Sequence, residues 1–128
     1  MKLDIDLIKS LLAFVEESPN YPKFIVSDDI KINGTDPLTI AYHLSLMLEA
    51  GLIRGRESCP GTPEPYVAIE RLTWEGHAFL ANSKDPTNWQ KLKSAIATIG
   101  DVSFDVAKAG LAGMASAAVS AAMLGGSR

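Results

Sequence analysis

The chain has 128 residues, of which 47% are apolar, and a formal net charge of -3 at pH 7. This length and composition predict one domain with an additional terminal element. Cys59 is the only cysteine, which excludes an intramolecular disulfide, and no Cys/His set has the spacing of a metal site. The amino terminus lacks the pattern of a signal peptide, so a cytoplasmic location is expected.

The first predicted helix covers residues 4–17. Asp4 and Asp6 suit the positive end of the helix dipole, and two prolines at positions 19 and 22 end the helix. Its apolar residues recur at spacings of three and four: Leu7, Ile8, Leu11, Leu12 and Val15. Between residues 23 and 35 the pattern favours a short strand or extended segment. An ordinary winged helix-turn-helix has its second helix there, and the sequence leaves both structures open.

Residues 36–51 have the clearest helix boundaries in the chain. Asp36 is an N-cap, Pro37 suits the first turn, and Gly51 suits the end. With about 100° of rotation per residue, the predicted buried side consists of Ile40, Leu44, Met47, Leu48 and Gly51. The predicted outward side consists of Thr39, Tyr42, Leu46 and Glu49, with His43 and Ser45 at its flanks.

Two strands, at residues 52–57 and 66–72, are predicted to form a hairpin around a loop at 58–65. Thr73 is expected to cap a helix over 74–80. After a break at residues 85–87, a further amphipathic helix is expected to end at Gly100. The fold class is therefore α+β, mainly α: a winged helix-turn-helix-like domain at residues 1–83, and a helical extension at 84–128 with an Ala/Gly/Ser-rich tail.

Two motifs carry a resemblance to known proteins. Residues 42–53 resemble the recognition helix and first wing strand of bacterial winged-helix proteins, and Leu72-Thr73-x-x-Gly76-x-x-Phe79-Leu80 resembles the signature that follows their wing. Together with the Asp-x-Asp-Leu-Ile opening, residues 1 to about 92 resemble the bacterial and phage domain-of-unknown-function family 2513. The resemblance implies a winged-helix architecture and transfers no activity. The small-residue tail after Gly100 departs from it.

The leading hypothesis is a phage-related or regulatory protein that binds duplex DNA. Thr39, Tyr42, His43 and Ser45 would contact bases or position phosphates, and Lys31, Arg54 and Arg56 would neutralise phosphates. No basic residue occurs between Lys31 and Arg54, however, and residues 36–83 carry a net charge of -3. The arginines could instead pair with Glu57 and Glu70 across the hairpin.

The main alternative is a protein-interaction or oligomerisation module, with Leu46 on the helix surface and Phe104, Leu111 and Met114 in the tail as partner contacts. Residues 109–126 carry no charge and are mostly small, which favours close packing of helices. A tail that interacts with membranes, or one that packs on its own chain, also stays open. The sequence has no nucleophile elbow, phosphate-binding glycine loop or His-Glu-x-x-His motif. We therefore predict no enzyme activity, catalytic residue, metal or cofactor.

Overall fold

The computed structural model describes residues 2–19, 21–58, 66–99 and 109. In chain order its elements are α1 (Ile5–Glu17), β1 (Ile25–Val26), a 3-10 turn (Ser27–Asp29), α2 (Pro37–Glu49), β2 (Ile53–Glu57), β3 (Val67–Leu72), α3 (Trp74–Ser83) and α4 (Pro86–Ile99). The fold is α+β and mainly helical, which confirms the predicted winged-helix-like class with extra helices. Two compact units divide the chain, Met1–His77 and Ala78–Arg128. The domain boundary after residue 83 stays a prediction.

Helix α1 supplies much of the core of the first unit. Asp4 caps it, since its carboxylate accepts a hydrogen bond from the Leu7 amide at 3.2 Å. Its apolar stripe is buried at Ile5, Leu7, Ile8, Leu11, Leu12 and Val15. The helix ends at Glu17, where Ser18 leaves helical geometry and Pro19 follows. α1 packs against α2 and β3.

The described residues between α1 and α2 form no regular second helix. Strand β1 has two residues, and the 3-10 turn that follows stands at the chain position of the second helix in a helix-turn-helix. Ser27 in this turn is buried, and its hydroxyl accepts a hydrogen bond from the Val67 amide at 2.9 Å. Buried Ile30 closes the turn. The expected short strand is thus present, and a single turn of 3-10 helix takes the place of the missing helix.

Helix α2 begins at a doubly bonded cap. The Asp36 carboxylate accepts hydrogen bonds from the Thr39 amide at 2.9 Å and from the Thr39 hydroxyl at 2.8 Å. The amide bond, followed by the hydroxyl bond, holds the pKa of Asp36 below its ordinary value. The helix ends before Gly51, whose φ of 75° is the left-handed conformation that glycine adopts readily.

This cap predicts an acid-dependent loss of stability that Asp36→Asn abolishes. The folded state binds a proton at Asp36 less tightly than the unfolded chain does. The stabilisation of the protein by the ionised cap is therefore complete above the ordinary pKa of aspartate, and it disappears as pH falls through the lowered pKa of the folded state. We expect wild type to be more stable than Asp36→Asn at pH 7 and the difference to shrink at acidic pH. Urea unfolding across this pH range measures it, and a pH-independent difference would contradict the assignment.

The three strands form an antiparallel sheet in the order β1-β3-β2. Arg54 pairs with Arg71 and Gly55 pairs with Ile69, so Glu70 is an extra residue that bulges from β3. Because side chains alternate along a strand, the sheet has two different faces. The inner face carries the buried residues Ile25, Ile53, Val67, Ile69 and Leu72. The opposite face carries Val26, Arg54, Arg56, Ala68 and Arg71.

Thr73 caps helix α3, as predicted. The Thr73 hydroxyl donates a hydrogen bond to the Gly51 carbonyl and accepts one from the Gly76 amide at 3.1 Å. The first turn of α3 lies directly against the backbone at Leu52, and Gly76 is the residue in contact. A Cβ added to Gly76 would lie 2.0 Å from the Leu52 carbonyl oxygen. The glycine of the Leu-Thr-x-x-Gly motif is therefore required by packing.

In the second unit, α4 begins at a cap in which the Asn88 amide donates to the Asp85 carboxylate at 3.0 Å. Phe79 and Trp89 pack edge to face, with ring centroids 6.1 Å apart, and both are buried. Within the described ranges, no helix has the length and apolar character needed to cross a membrane. The predicted tail contacts Phe104, Leu111 and Met114, as well as Cys59, lie outside the described residues.

Candidate functional site

The outward side of α2 is apolar and acidic. Leu38 and Tyr42 are 54% and 38% exposed, Leu46 is half-buried, and Glu49 is exposed. Four residues of this helix were predicted to contact DNA: Thr39, Tyr42, His43 and Ser45. Among them, only the Tyr42 side chain is exposed and forms no hydrogen bond to another described residue. α2 carries no Lys or Arg at all. This surface therefore lacks the cationic side chains that bind a phosphate group.

The prediction that His43 flanks the outward side is wrong, because its ring is completely buried. Nε2 accepts a hydrogen bond from the Asp4 amide at 2.9 Å, so Nδ1 carries the proton and donates to the Thr39 carbonyl at 2.8 Å. The buried arc of α2 covers Ile40, Ala41, His43, Leu44 and Met47. His43 lies inside this arc and connects the start of α1 to α2, so it has no free surface for DNA.

The hydroxyl groups of Thr39 and Ser45 already have acidic partners. Thr39 donates to Asp36, and Ser45 donates to the Glu57 carboxylate at 2.8 Å. A phosphate that approached either hydroxyl would meet a carboxylate first, and like charges repel at this range. Glu57 comes from β2, so this bond also fastens the helix to the wing.

The wing arginines lie on the other face of the sheet. Arg54 and Arg56 are exposed, and neither forms an ion pair with any acidic side chain in the part of the chain that the structure describes. The alternative pairing with Glu57 and Glu70 is therefore not found among the described residues, and Glu57 accepts a hydrogen bond from Ser45. Arg71 is exposed opposite Arg54, and its Nη1 donates to the Leu72 carbonyl at 2.9 Å. Lys31 is exposed beyond the 3-10 turn.

Two aromatic residues that the sequence reading did not select share this face. Phe24 and Tyr66 directly precede β1 and β3, and each stands two positions before an outward residue, Val26 or Ala68. Arg56 lies with its guanidinium carbon 5.6 Å from the centre of the Phe24 ring. We call this surface the outer sheet face; it comprises Phe24, Val26, Arg54, Arg56, Tyr66, Ala68 and Arg71, with Glu70 in the bulge.

A separate cleft of about 150 Å³ opens between the end of α1 and the end of β3. Its polar lining includes Glu16, Glu70, Arg71 and His77, and His77 Nδ1 lies 3.6 Å from Glu16 Oε2. No group of three or more His, Cys, Asp or Glu side chains in the described ranges could hold a metal ion. The cleft therefore supplies mixed charges at its rim and no recognisable reaction centre.

Comparisons with known proteins give a family. The family model described as "Hypothetical protein (DUF2513)" matches residues 2–102. A protein of Haemophilus influenzae described as "Uncharacterized protein" is 32% identical over 109 residues, which cover 84% of this chain and 90% of that protein. No solved structure matches the chain.

Proposed function

The chain belongs to the DUF2513 family, described as hypothetical proteins, and we propose that it is a DNA-binding protein with a regulatory role. The proposal draws on the surface of the protein and not on the family. The proposal rests on one observation: the outer sheet face presents Arg54, Arg56 and Arg71 together, without a carboxylate ion-paired to any of them among the described residues. Contacts through the wing then replace the contacts expected from α2.

The arrangement of the arginines supports an external anion as their partner. Arg54 and Arg71 occupy directly paired positions on neighbouring strands. Like charges in such a pair destabilise a sheet, so a phosphate between them would relieve repulsion while forming charge-assisted hydrogen bonds. Arginine also matches phosphate geometry better than lysine does, because its planar group donates two parallel hydrogen bonds.

The acidic balance of the first unit does not prevent local binding. Residues 1–77 contain seven basic and twelve acidic residues, a net charge of -5. At physiological ionic strength, interactions between exposed charges are largely screened beyond about 8 Å. The outer sheet face carries three arginines and one acidic residue, Glu70, so its local charge is positive and favours a phosphate there. Three contacts give weak, salt-sensitive binding.

The test is a titration of labelled DNA, both duplex and single-stranded, at several salt concentrations. We expect wild type to bind, and the Arg54→Ala/Arg56→Ala double variant to bind more weakly, with a log-affinity against log-salt slope reduced by about 2. The control Lys2→Ala/Lys91→Ala removes the same charge outside the outer sheet face and should leave the slope within about half a unit of wild type. Absence of binding to either form of DNA at low salt would refute the proposal.

A second candidate function is docking of a basic amphipathic helix from another protein onto α2. Leu38, Tyr42 and Leu46 follow one another at spacings of four and form an apolar stripe, in which Leu38 and Tyr42 are exposed and Leu46 is half-buried, with Asp36 and Glu49 at its two ends. Charge complementarity with these acids favours a basic partner helix.

This candidate predicts that Leu38→Ser/Tyr42→Ser prevents complex formation with a partner that binds wild type. The partner would be captured from cell extract, identified, and then titrated as a purified chain against wild type and the double variant. A purified partner that binds both equally would exclude α2 as the docking surface.

A further inference from the structure

Phe24 and Tyr66, the aromatic residues of the outer sheet face, are accessible to a ligand. Phe24 and Tyr66 are 41% and 44% exposed, although each belongs to a segment whose neighbours Ile25 and Val67 are buried. Burial is the usual stabilising use of an aromatic side chain. Here two rings instead stand on the same face as three cationic groups.

Ala68 leaves room for the Arg56 side chain at the centre of this face. It pairs with Val26 on one side and with Arg56 on the other, so it lies between β1 and β2. Because the Ala68 side chain is a single methyl group, Arg56 can extend across β3 to the Phe24 ring, where the separation of 5.6 Å is within the range of a cation–π contact. The result is a shallow surface of ring, guanidinium and methyl groups.

We infer that the outer sheet face binds a single-stranded polynucleotide, whose unpaired bases stack on Phe24 and Tyr66 while Arg54, Arg56 and Arg71 contact its phosphates. The inference rests on the proposed function and specifies the form of nucleic acid bound. A duplex hides the faces of its bases inside the stack, so exposed rings on a shallow sheet have nothing to stack on there. A single strand offers both a charged backbone and accessible base faces.

The contacts inferred for this surface do not depend on the base sequence of the strand. Stacking tolerates any base, and the three arginines of the outer sheet face are assigned to phosphates, which carry no sequence information. Binding should therefore be tolerant of sequence. DNA and RNA strands share the chemistry that this surface recognises.

The experiment measures the anisotropy of labelled 12-nucleotide DNA and RNA strands, and of a DNA duplex of the same sequence, with the full chain. Phe24→Leu and Tyr66→Leu keep an apolar side chain and remove the ring, and Phe24→Trp restores a ring. We expect wild type to bind a single strand more tightly than the duplex. Each Leu variant should weaken single-strand binding about 10-fold, change duplex binding by less than about twofold and leave the salt slope intact, and Phe24→Trp should bind like wild type.

Phe14→Leu is the matched control, because Phe14 is an exposed ring on α1 and its removal leaves the outer sheet face unchanged. Circular dichroism establishes that each variant is folded. Equal affinity for duplex and single strand, or Leu variants on the outer sheet face that behave like Phe14→Leu, would overturn the inference and leave DNA binding intact. Failure of every nucleic acid to bind would overturn the proposed function as well. A DNA or RNA preference in the single-strand titrations supports the inference and identifies the source of the strand.

Discussion

Gly76→Ala should destabilise the protein by about 3 kcal/mol, although the substitution improves helix propensity. In an exposed helix, alanine is better than glycine by about 1 kcal/mol. At this position the new Cβ would lie 2.0 Å from the Leu52 carbonyl oxygen and 3.0 Å from the Leu52 carbonyl carbon. Both are backbone atoms that cannot move aside as a flexible side chain would, so the steric cost exceeds the propensity gain.

Gly34→Ala provides a matched comparison for Gly76→Ala. Gly34 has a φ of 80°, and an added Cβ meets nothing within 4 Å. Its substitution should cost only the left-handed backbone strain, about 1 kcal/mol. Urea unfolding of both variants, followed by far-ultraviolet circular dichroism, measures the difference. If Gly76→Ala were as stable as wild type, the close approach of α3 to Leu52 would be incorrect.

His43→Ala should lower the free energy of unfolding by about 3 kcal/mol. The substitution leaves a cavity where a fully buried ring was, and it removes the hydrogen-bond partners of the Asp4 amide and the Thr39 carbonyl. His77→Ala is the control, because the His77 side chain is exposed. Its pairing with Glu16, at 3.6 Å, lies at the surface, and such a pair contributes less than about 1 kcal/mol to the free energy of unfolding.

The two histidine variants separate a structural role for His43 from a role in binding. We expect the nucleic-acid affinity of His43→Ala, measured at a temperature where the variant is folded, to stay within about twofold of wild type. The reason is that the His43 ring is fully buried and has no surface for a ligand. A stable His43→Ala protein that bound nucleic acid much more weakly would instead place His43 at the interface.

Helix boundaries could be predicted from the sequence wherever the determining chemistry is local. Asp36 caps α2 through a residue three positions away, and Gly51 ends it by its own backbone conformation. Thr73 caps α3 in the same local way. The short β1 was harder to place, because it depends on pairing with β3, more than 40 residues later in the chain. The fold class was therefore predictable, while the segment before α2 stayed ambiguous.

The candidate site was less predictable because its partners are distant in sequence. A helical projection places His43 by its angle around the helix alone, whereas its burial depends on Asp4, 39 positions earlier. Ser45 was assigned to DNA because its partner Glu57, 12 positions later, could not be seen. The aromatic residues of the outer sheet face were missed for a similar reason. Phe24 and Arg56 become neighbours only through the strand order β1-β3-β2.

The hydrogen bonds of His43 to the start of α1 and to α2 restrict which residues can occupy position 43 in the family. The buried side chain at that position supplies an acceptor for the Asp4 amide and a donor for the Thr39 carbonyl, a combination that few side chains offer. Purifying selection on folding alone should therefore keep a histidine there in homologues whose targets have diverged. Substitutions that follow a change of target should instead accumulate at Phe24, Arg54, Arg56 and Tyr66.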